Sequence, residues 1–230
     1  MKYIFNFFLF TYFSFVSLAI TSDTESNAKL FGSLPDVSNV KISPNGKFVG
    51  VQQRTEETIV VKIIDLDNAQ LLSVHNFGSK GQITDFFWAT DKRLVFTVAR
   101  ENSRNTEIYN VGQLVAANID GKRTKLIAGF GSAPDSRQGV RNRDRTNPDR
   151  PAIIVHRLPK DSNKILVSFF DNAGFNELAE LDINNGKVSY VTTSPVIYPN
   201  WIFNNEGKLM GVSSSTLENN SEIFLFKPNL

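Results

Sequence analysis

The 230-residue chain has no cysteine, only two histidines, two tryptophans and two methionines, and almost no net charge, with 25 Lys+Arg against 23 Asp+Glu. Without cysteine there is no disulfide frame, no thiolate metal site and no lipobox anchor, so stability must come from packing and sheet hydrogen bonds. The near-balance of charge, with no segment that concentrates positive residues as a nucleic-acid reader would, excludes nucleic acid as a partner. Also missing is any 3.6-residue periodicity that would argue for a helix.

What the sequence does have is apolar and aromatic. Hydrophobic residues make up 41% of the chain, enough for a sizeable core, and 19 Phe against 5 Tyr suit pleated, half-buried surfaces. The first twenty residues, "MKYIFNFFLFTYFSFVSLAI", carry one lysine, an apolar run and a small-residue exit at Ser17-Leu18-Ala19, followed at once by the polar "TSDTESNAK". This pattern predicts a signal peptide over residues 1–19, cleaved after Ala19, and a polar linker over 20–30. The alternative is an uncleaved anchor, which needs about 20 apolar residues. Export implies a periplasmic or secreted product with no stable membrane anchor after cleavage.

Beyond the linker one pattern recurs. Taking the basic residue before each apolar step as an anchor gives Lys47, Arg93, Lys164 and Lys208, at intervals of 46, 71 and 44 residues. Each anchor opens a run: "FVGV", "LVFTV", "ILVSF", "LMGV". A second run ends in an acidic turn at Asp65, Asp120 or Asp182; a third follows the turn, and a fourth ("ITDFFW", "AIIVHRL", "VIYPNWIF") leads to the next anchor. The runs alternate with period two and are joined by Asn, Asp, Gly and Pro, as short strands and hairpins are. Hairpin turns are expected at 43–47, 65–69, 120–122 and 184–186.

Four-stranded antiparallel units at roughly 40 to 50 residues are the signature of propeller blades. The expected fold class is therefore all-β, a partial β-propeller of about three and a half four-stranded blades over residues 31–230. The blades are placed at roughly 41–92, 93–163, 164–207 and, incomplete, 208–230. A closed ring usually has roughly 4 to 8 blades, so the chain reads as cut inside its fourth. The second unit is longer because of "RENSRNTEIYN" and of "GSAPDSRQGVRNRDRTNPDR", whose Arg137, Arg141, Arg143, Arg145 and Arg150 stand among Asp, Pro, Gly and Asn. Such composition makes a solvated loop; the alternative is an arginine grip on a carboxylate-bearing ligand or a neighbouring domain.

Residues able to carry chemistry are few. A hydrolase nucleophile elbow reads Gly-x-Ser-x-Gly, and both "GFGSAP" (129–134) and "GVSSST" (211–216) lack the closing glycine. His75 and His156 lie in predicted strands and read as packed or edge residues rather than bases. "DLDN" (65–68) lacks the glycine and distal glutamate of a calcium loop and reads as a turn. Asp65, Asp120 and Asp182 recur at one rim position and point apart, unlike the convergent carboxylates of a glycosidase. Glu177 and Glu180 are expected to face solvent. Trp88 and Trp201 occupy corresponding strands and are expected to pack between blades, with peptide binding as the alternative. "NNS" (219–221) matches a glycosylation acceptor by triplet alone. No catalytic, cofactor-binding or metal-binding residue is expected in this chain, and no cofactor.

The leader, "LFGSLPDVSNVKISPNGKFVGV", "LVAANIDGKRTKLI", "RLPKDSNKILVSF" and "PNWIFNNEGKLMGV" together resemble the amino-terminal propeller of the prolyl oligopeptidase family of serine peptidases, of the dipeptidyl aminopeptidase and acylaminoacyl peptidase type. The resemblance spans nearly all of residues 31–230 and rests on turn-and-strand patterns; the "SPNGK" type of turn also occurs in TolB-like periplasmic propellers. It implies a propeller that caps an α/β-hydrolase domain and admits short peptides, with the nucleophile, acid and histidine in that second domain. No family catalytic residue maps onto this chain. The implied partners are further carboxy-terminal blades, the hydrolase domain and short peptides. The alternative reading is a self-standing periplasmic TolB-like propeller that binds or scaffolds a partner.

Overall fold

The structure is a computed structural model describing residues 28, 32–33, 35–78, 81–101, 108–129, 151–158, 163–170, 175–215 and 221–226. The chain divides into two units, Met1–Asp36 and Val37–Leu230. The expected signal peptide and the long arginine-bearing segment lie outside the described residues.

Within the second unit the described residues form fifteen strands in four antiparallel sheets. The first sheet holds β1 (Val37–Ile42), β2 (Phe48–Arg54), β3 (Ile59–Asp65) and β4 (Gln70–His75). The second holds β5 (Gly81–Thr90), β6 (Arg93–Glu101), β7 (Ile108–Asn118) and β8 (Lys125–Ala128). The third holds β9 (Ala152–Arg157), β10 (Lys164–Phe170), β11 (Phe175–Asp182) and β12 (Val188–Ile197). The fourth holds β13 (Asn200–Phe203), β14 (Leu209–Ser215) and β15 (Ser221–Leu225). In every sheet the strands hydrogen-bond in chain order.

All four expected hairpin turns are present, and side-chain oxygens close them. Asn45 Oδ1 accepts from Lys47 N at 3.0 Å, while Asp65, Asp120 and Asp182 accept from the backbone N–H two residues on at 2.9, 2.9 and 2.7 Å. These carboxylates are turn formers.

The phase of the repeat differs from the expected one. "ITDFFW", "AIIVHRL" and "VIYPNWIF", read as the last strand of each unit, are β5, β9 and the β12–β13 junction; β5 and β9 pair with β6 and β10 and so begin a sheet. The sheets therefore run 37–75, 81–128, 152–197 and 200–225 rather than starting at the basic anchors. The acidic turns accordingly join the third and fourth strands. Period-two patterning locates strands but does not say which neighbour a strand bonds to.

Successive sheets stack face to face through three cores. Val61 and Ile63 of the first sheet meet Phe86, Trp88, Leu94 and Phe96 of the second. Phe87, Val95 and Leu114 meet Ile165, Val167 and Leu181 of the third, whose Leu166 and Leu178 meet Trp201 and Val212 of the fourth. Such serial stacking of antiparallel sheets makes the unit a partial β-propeller.

The first sheet shows how alternation sorts the faces. Across its register, Asn39–Gln52–Val61–His75 and Lys41–Gly50–Ile63–Ser73 form rows facing the second sheet. Val40–Val51–Lys62–Val74 and Ile42–Val49–Ile64–Leu71 form rows on the opposite face, where Val40, Ile42, Leu71 and Val74 are exposed.

Gly50 is glycine because Phe86 occupies the space over it: a Cβ there would stand 2.5 Å from the ring, whose residue is only 1% exposed. Gly50→Val is expected to lower stability by about 1–3 kcal/mol through overpacking. A urea midpoint equal to that of the parent chain would refute this account of the position.

Candidate functional site

The first strands of successive sheets lie side by side, and their polar side chains meet. Lys41 Nζ on β1 donates to Asp85 Oδ1 and to the Phe86 carbonyl oxygen on β5, both at 2.5 Å, and stands 5.2 Å from the centre of the Phe86 ring. Asn39 Nδ2 donates to the same Asp85 oxygen at 2.9 Å. On β9, the Arg157 guanidinium lies over the Phe87 ring of β5, 4.4 Å from its centre. Burial lowers the Arg157 pKa, and the Asp85 carboxylate opposes that shift. Lysine, aspartate and arginine thus follow one another along the first-strand edge, which in a propeller lines the central channel.

Between the second and third sheets, at this edge, is a cavity of about 650 Å³. Its walls include Thr84, Asp85 and Phe87 of β5, Thr97 of β6, and Ile153 and Arg157 of β9. The Thr84 hydroxyl is occupied, donating to the Thr97 carbonyl at 3.2 Å. The site combines an apolar wall with a cation and a carboxylate, a composition suited to small polar ligands with an apolar part. Sequence reading singled out none of Lys41, Asp85 and Arg157.

The residues it did single out are dispersed. His75, on β4, packs between the first two sheets with its ring 4.8 Å from that of Phe96. The Ser73 hydroxyl lies 3.3 Å from His75 Nε2 but donates its proton to the Ile119 carbonyl at 2.5 Å. The imidazole therefore donates to the serine, the reverse of a nucleophile–base pair. His156, on β9, packs on Phe203 with ring centres 5.1 Å apart, and among the described residues its buried Nδ1 has no partner. Ser214 of "GVSSST" lies within β14, its hydroxyl donating to the Ile197 carbonyl at 2.6 Å; Ser132 of "GFGSAP" lies outside the described residues. Glu180 is half-buried and paired with Lys164 at 2.8 Å, and Glu177 is also half-buried, which corrects the expectation that both face solvent; both sit on β11 between two paired strands.

Trp88 and Trp201 are buried between sheets, as expected, but on first strands. Each indole N–H reaches back to the preceding sheet: Trp88 to the Lys41 carbonyl at 2.9 Å, Trp201 to Ser168 Oγ at 3.1 Å. Among the described residues no three His, Cys, Asp or Glu side chains come together as a metal site would require, and no helix is long and apolar enough to cross a membrane.

Burial lowers the His75 pKa from 6.5 to about 4, with Asp120 opposing the shift. Below pH 6.5 the unfolded chain binds a proton that the folded chain refuses, so stability should fall as pH drops from 6.5 and the loss should level off near pH 4. The full span corresponds to up to about 3 kcal/mol. Denaturation midpoints of the parent and of His75→Gln across this range should converge toward acid; parallel curves would contradict the assignment.

Comparison with known proteins matches the fold. Residues 14–117, less than half of the chain, match the family model described as lactonase, 7-bladed beta-propeller. Among solved structures, an acylaminoacyl peptidase in complex with Z-Gly-Gly-Phe-chloromethyl ketone superposes with a TM-score of 0.50 at 12% identity, over 85% of this chain and 32% of that one. An oligogalacturonate lyase in complex with manganese gives 0.51 at 9% identity, over 84% of this chain and 52% of that one. TolB from Acinetobacter baumannii gives 0.44 at 13% identity, over 81% and 40%. The chain thus spans about a third of the peptidase's length and about half of the lyase's. No curated protein matches the sequence. The family model and the two superpositions at 0.50 and 0.51 agree with the four stacked antiparallel sheets in giving the β-propeller class.

Proposed function

We propose that the chain is the non-catalytic gating portion of an exported serine peptidase resembling the prolyl oligopeptidase family, filtering substrate for an α/β-hydrolase domain that the described sheets do not include. The observation that carries the reading is the outer face of the first sheet. Its Val40, Ile42, Leu71 and Val74 stand exposed in registered rows on the side away from the second sheet, and those rows are apolar but for Lys62. A sheet already packed on one face and apolar on the other is one made to be covered on both, so further sheets belong beside it, as in a propeller that caps a second domain. The peptidase-like segments "SPNGK" and "NNEGK" supply the β1–β2 and β13–β14 turns of this stack.

The coding region surrounding these 230 residues tests the proposal. Further propeller sheets followed by a Gly-x-Ser-x-Gly hydrolase region are expected; further sheets and then a stop codon would favour a self-standing binding propeller instead. The purified chain should not be labelled by a fluorophosphonate probe, and covalent labelling of any serine would overturn the non-catalytic assignment. Mass spectrometry of the exported product should show Ile20 as its first residue, and an intact Met1 in a membrane fraction would overturn export.

A further inference from the structure

We propose that the cavity between the second and third sheets binds a small molecule with an apolar body and one carboxylate, the carboxylate being taken by Arg157. This does not depend on the peptidase reading. The guanidinium lies on the Phe87 ring, and among the described residues no acceptor receives its N–H groups. A guanidinium held by an aromatic face keeps its in-plane fork available, and that fork matches a carboxylate in bidentate geometry.

Charge around the mouth selects the sign of the ligand. Asp85 and Arg157 are the charged residues of the lining, and the Asp85 carboxylate is already compensated by Lys41, which reaches its Oδ1 from β1 together with Asn39. With Asp85 neutralised by Lys41, Arg157 is the uncompensated charge of the lining, so an anion is favoured and a cation is not. Leu114, Ala152, Ile153 and Ile154 supply the apolar wall, and about 650 Å³ falls within the usual range of ligand cavities, roughly 300–1,000 Å³. No donor among the described residues reaches Asp85 Oδ2, which leaves an acceptor for a ligand N–H. A peptide carboxy-terminus and a free aliphatic acid share the carboxylate chemistry, and only the peptide offers that N–H.

Calorimetric titration of the full chain with N-acetyl-Ala-Ala-Leu, with its carboxy-terminal amide and with hexanoate tests the site. The free acids are expected to bind saturably, and the amide to bind at least about tenfold more weakly, the loss expected for one charge-assisted hydrogen-bond pair. Tighter binding of the peptide acid than of hexanoate would identify a peptide terminus, and equal binding a free organic acid; both outcomes support the carboxylate assignment. Arg157→Gln should weaken both acids at least about tenfold, and Arg157→Lys, which keeps the charge without the fork, should fall between. Circular dichroism of each variant verifies that it is folded. Equal binding of amide and acid, undiminished binding by folded Arg157→Gln, or no saturable binding of either acid at about 10 mM would overturn the proposal.

Discussion

Arg93→Met is expected to destabilise the chain by about 3–5 kcal/mol, a large share of the roughly 5–15 kcal/mol that holds a domain together. Arg93 opens β6 and is only 5% exposed. Its Nε and Nη2 donate to the Ile183 carbonyl at 3.2 and 3.0 Å, in the β11–β12 turn of the third sheet. Nη1 donates to Asn118 Oδ1 at 2.7 Å and to the Arg123 carbonyl at 3.3 Å, in the β7–β8 turn of its own sheet. One side chain thereby fastens two turns and two sheets.

Two effects compete in the substitution. Removing the guanidinium abolishes the cost of burying a cation, a cost visible in its lowered pKa, to which burial contributes most and Arg123 adds. It also strips three acceptors, among them the fully buried Ile183 carbonyl, of charge-assisted hydrogen bonds worth about 1.5–3 kcal/mol each, and Met offers no donor in return. The Ile183 carbonyl, which takes two of these bonds, is buried and fixed in its turn, so it cannot turn to water, and the loss outweighs the relief. Guanidinium chloride unfolding at neutral pH measures it; a change within about 0.5 kcal/mol would show that the fastening is dispensable.

The basic anchor at position 93 was visible in the sequence, but its role was not, because Lys47, Lys164 and Lys208 look equivalent to it. Lys164 pairs with Glu180 on the neighbouring strand, and Lys47 and Lys208 sit in turns where Asn45 and Asn204 accept their backbone N–H groups. Only at Arg93 does the repeat carry a fork long enough to cross to the next sheet. Strand positions and turns were legible for a simpler reason: alternation and Asn, Asp and Gly placement are local properties of the chain.

Sheet boundaries were not local. Residues 91–92 join β5 to β6 within one sheet, and residues 198–199 join β12 to β13 across two sheets, so link length alone does not separate the cases. At the second link Tyr198 adopts a φ of 49°, an uncommon conformation for a non-glycine residue, and Pro199 brings no backbone donor, so pairing stops there. The candidate site was hidden by the same geometry. Lys41, Asp85 and Arg157 come from three sheets, and they converge only because first strands stand next to one another.

Trp88→Ala and Trp201→Ala are each expected to cost about 3–5 kcal/mol, since each removes the largest side chain from a core between two sheets. Trp88 should be the more damaging of the two. It stacks on Phe48 at 6.5 Å, and its indole N–H holds the carbonyl of Lys41, the residue that reaches Asp85 and the Phe86 carbonyl. Its loss therefore leaves a cavity between the first two sheets and frees the strand that carries Lys41. Trp201 leaves behind Ser168 Oγ, which still receives Asn176 Nδ2 at 3.0 Å. The milder Trp88→Phe and Trp201→Phe keep most of the volume and lose one hydrogen bond, about 1 kcal/mol. Because the chain has only two tryptophans, each Phe variant also leaves a single tryptophan, which excitation near its own red edge reads apart from the tyrosines. Trp201 alone reports on the contact between third and fourth sheets, and Trp88 alone on that between first and second. Serially stacked sheets share faces with their neighbours, so a disturbance at one interface weakens the next, and unfolding is expected to be cooperative. After correction for its own Phe substitution, each probe should give the same urea midpoint. Separated midpoints, with the Trp201 signal lost first, would mean that the fourth sheet detaches before the others and that the stack does not unfold as one unit.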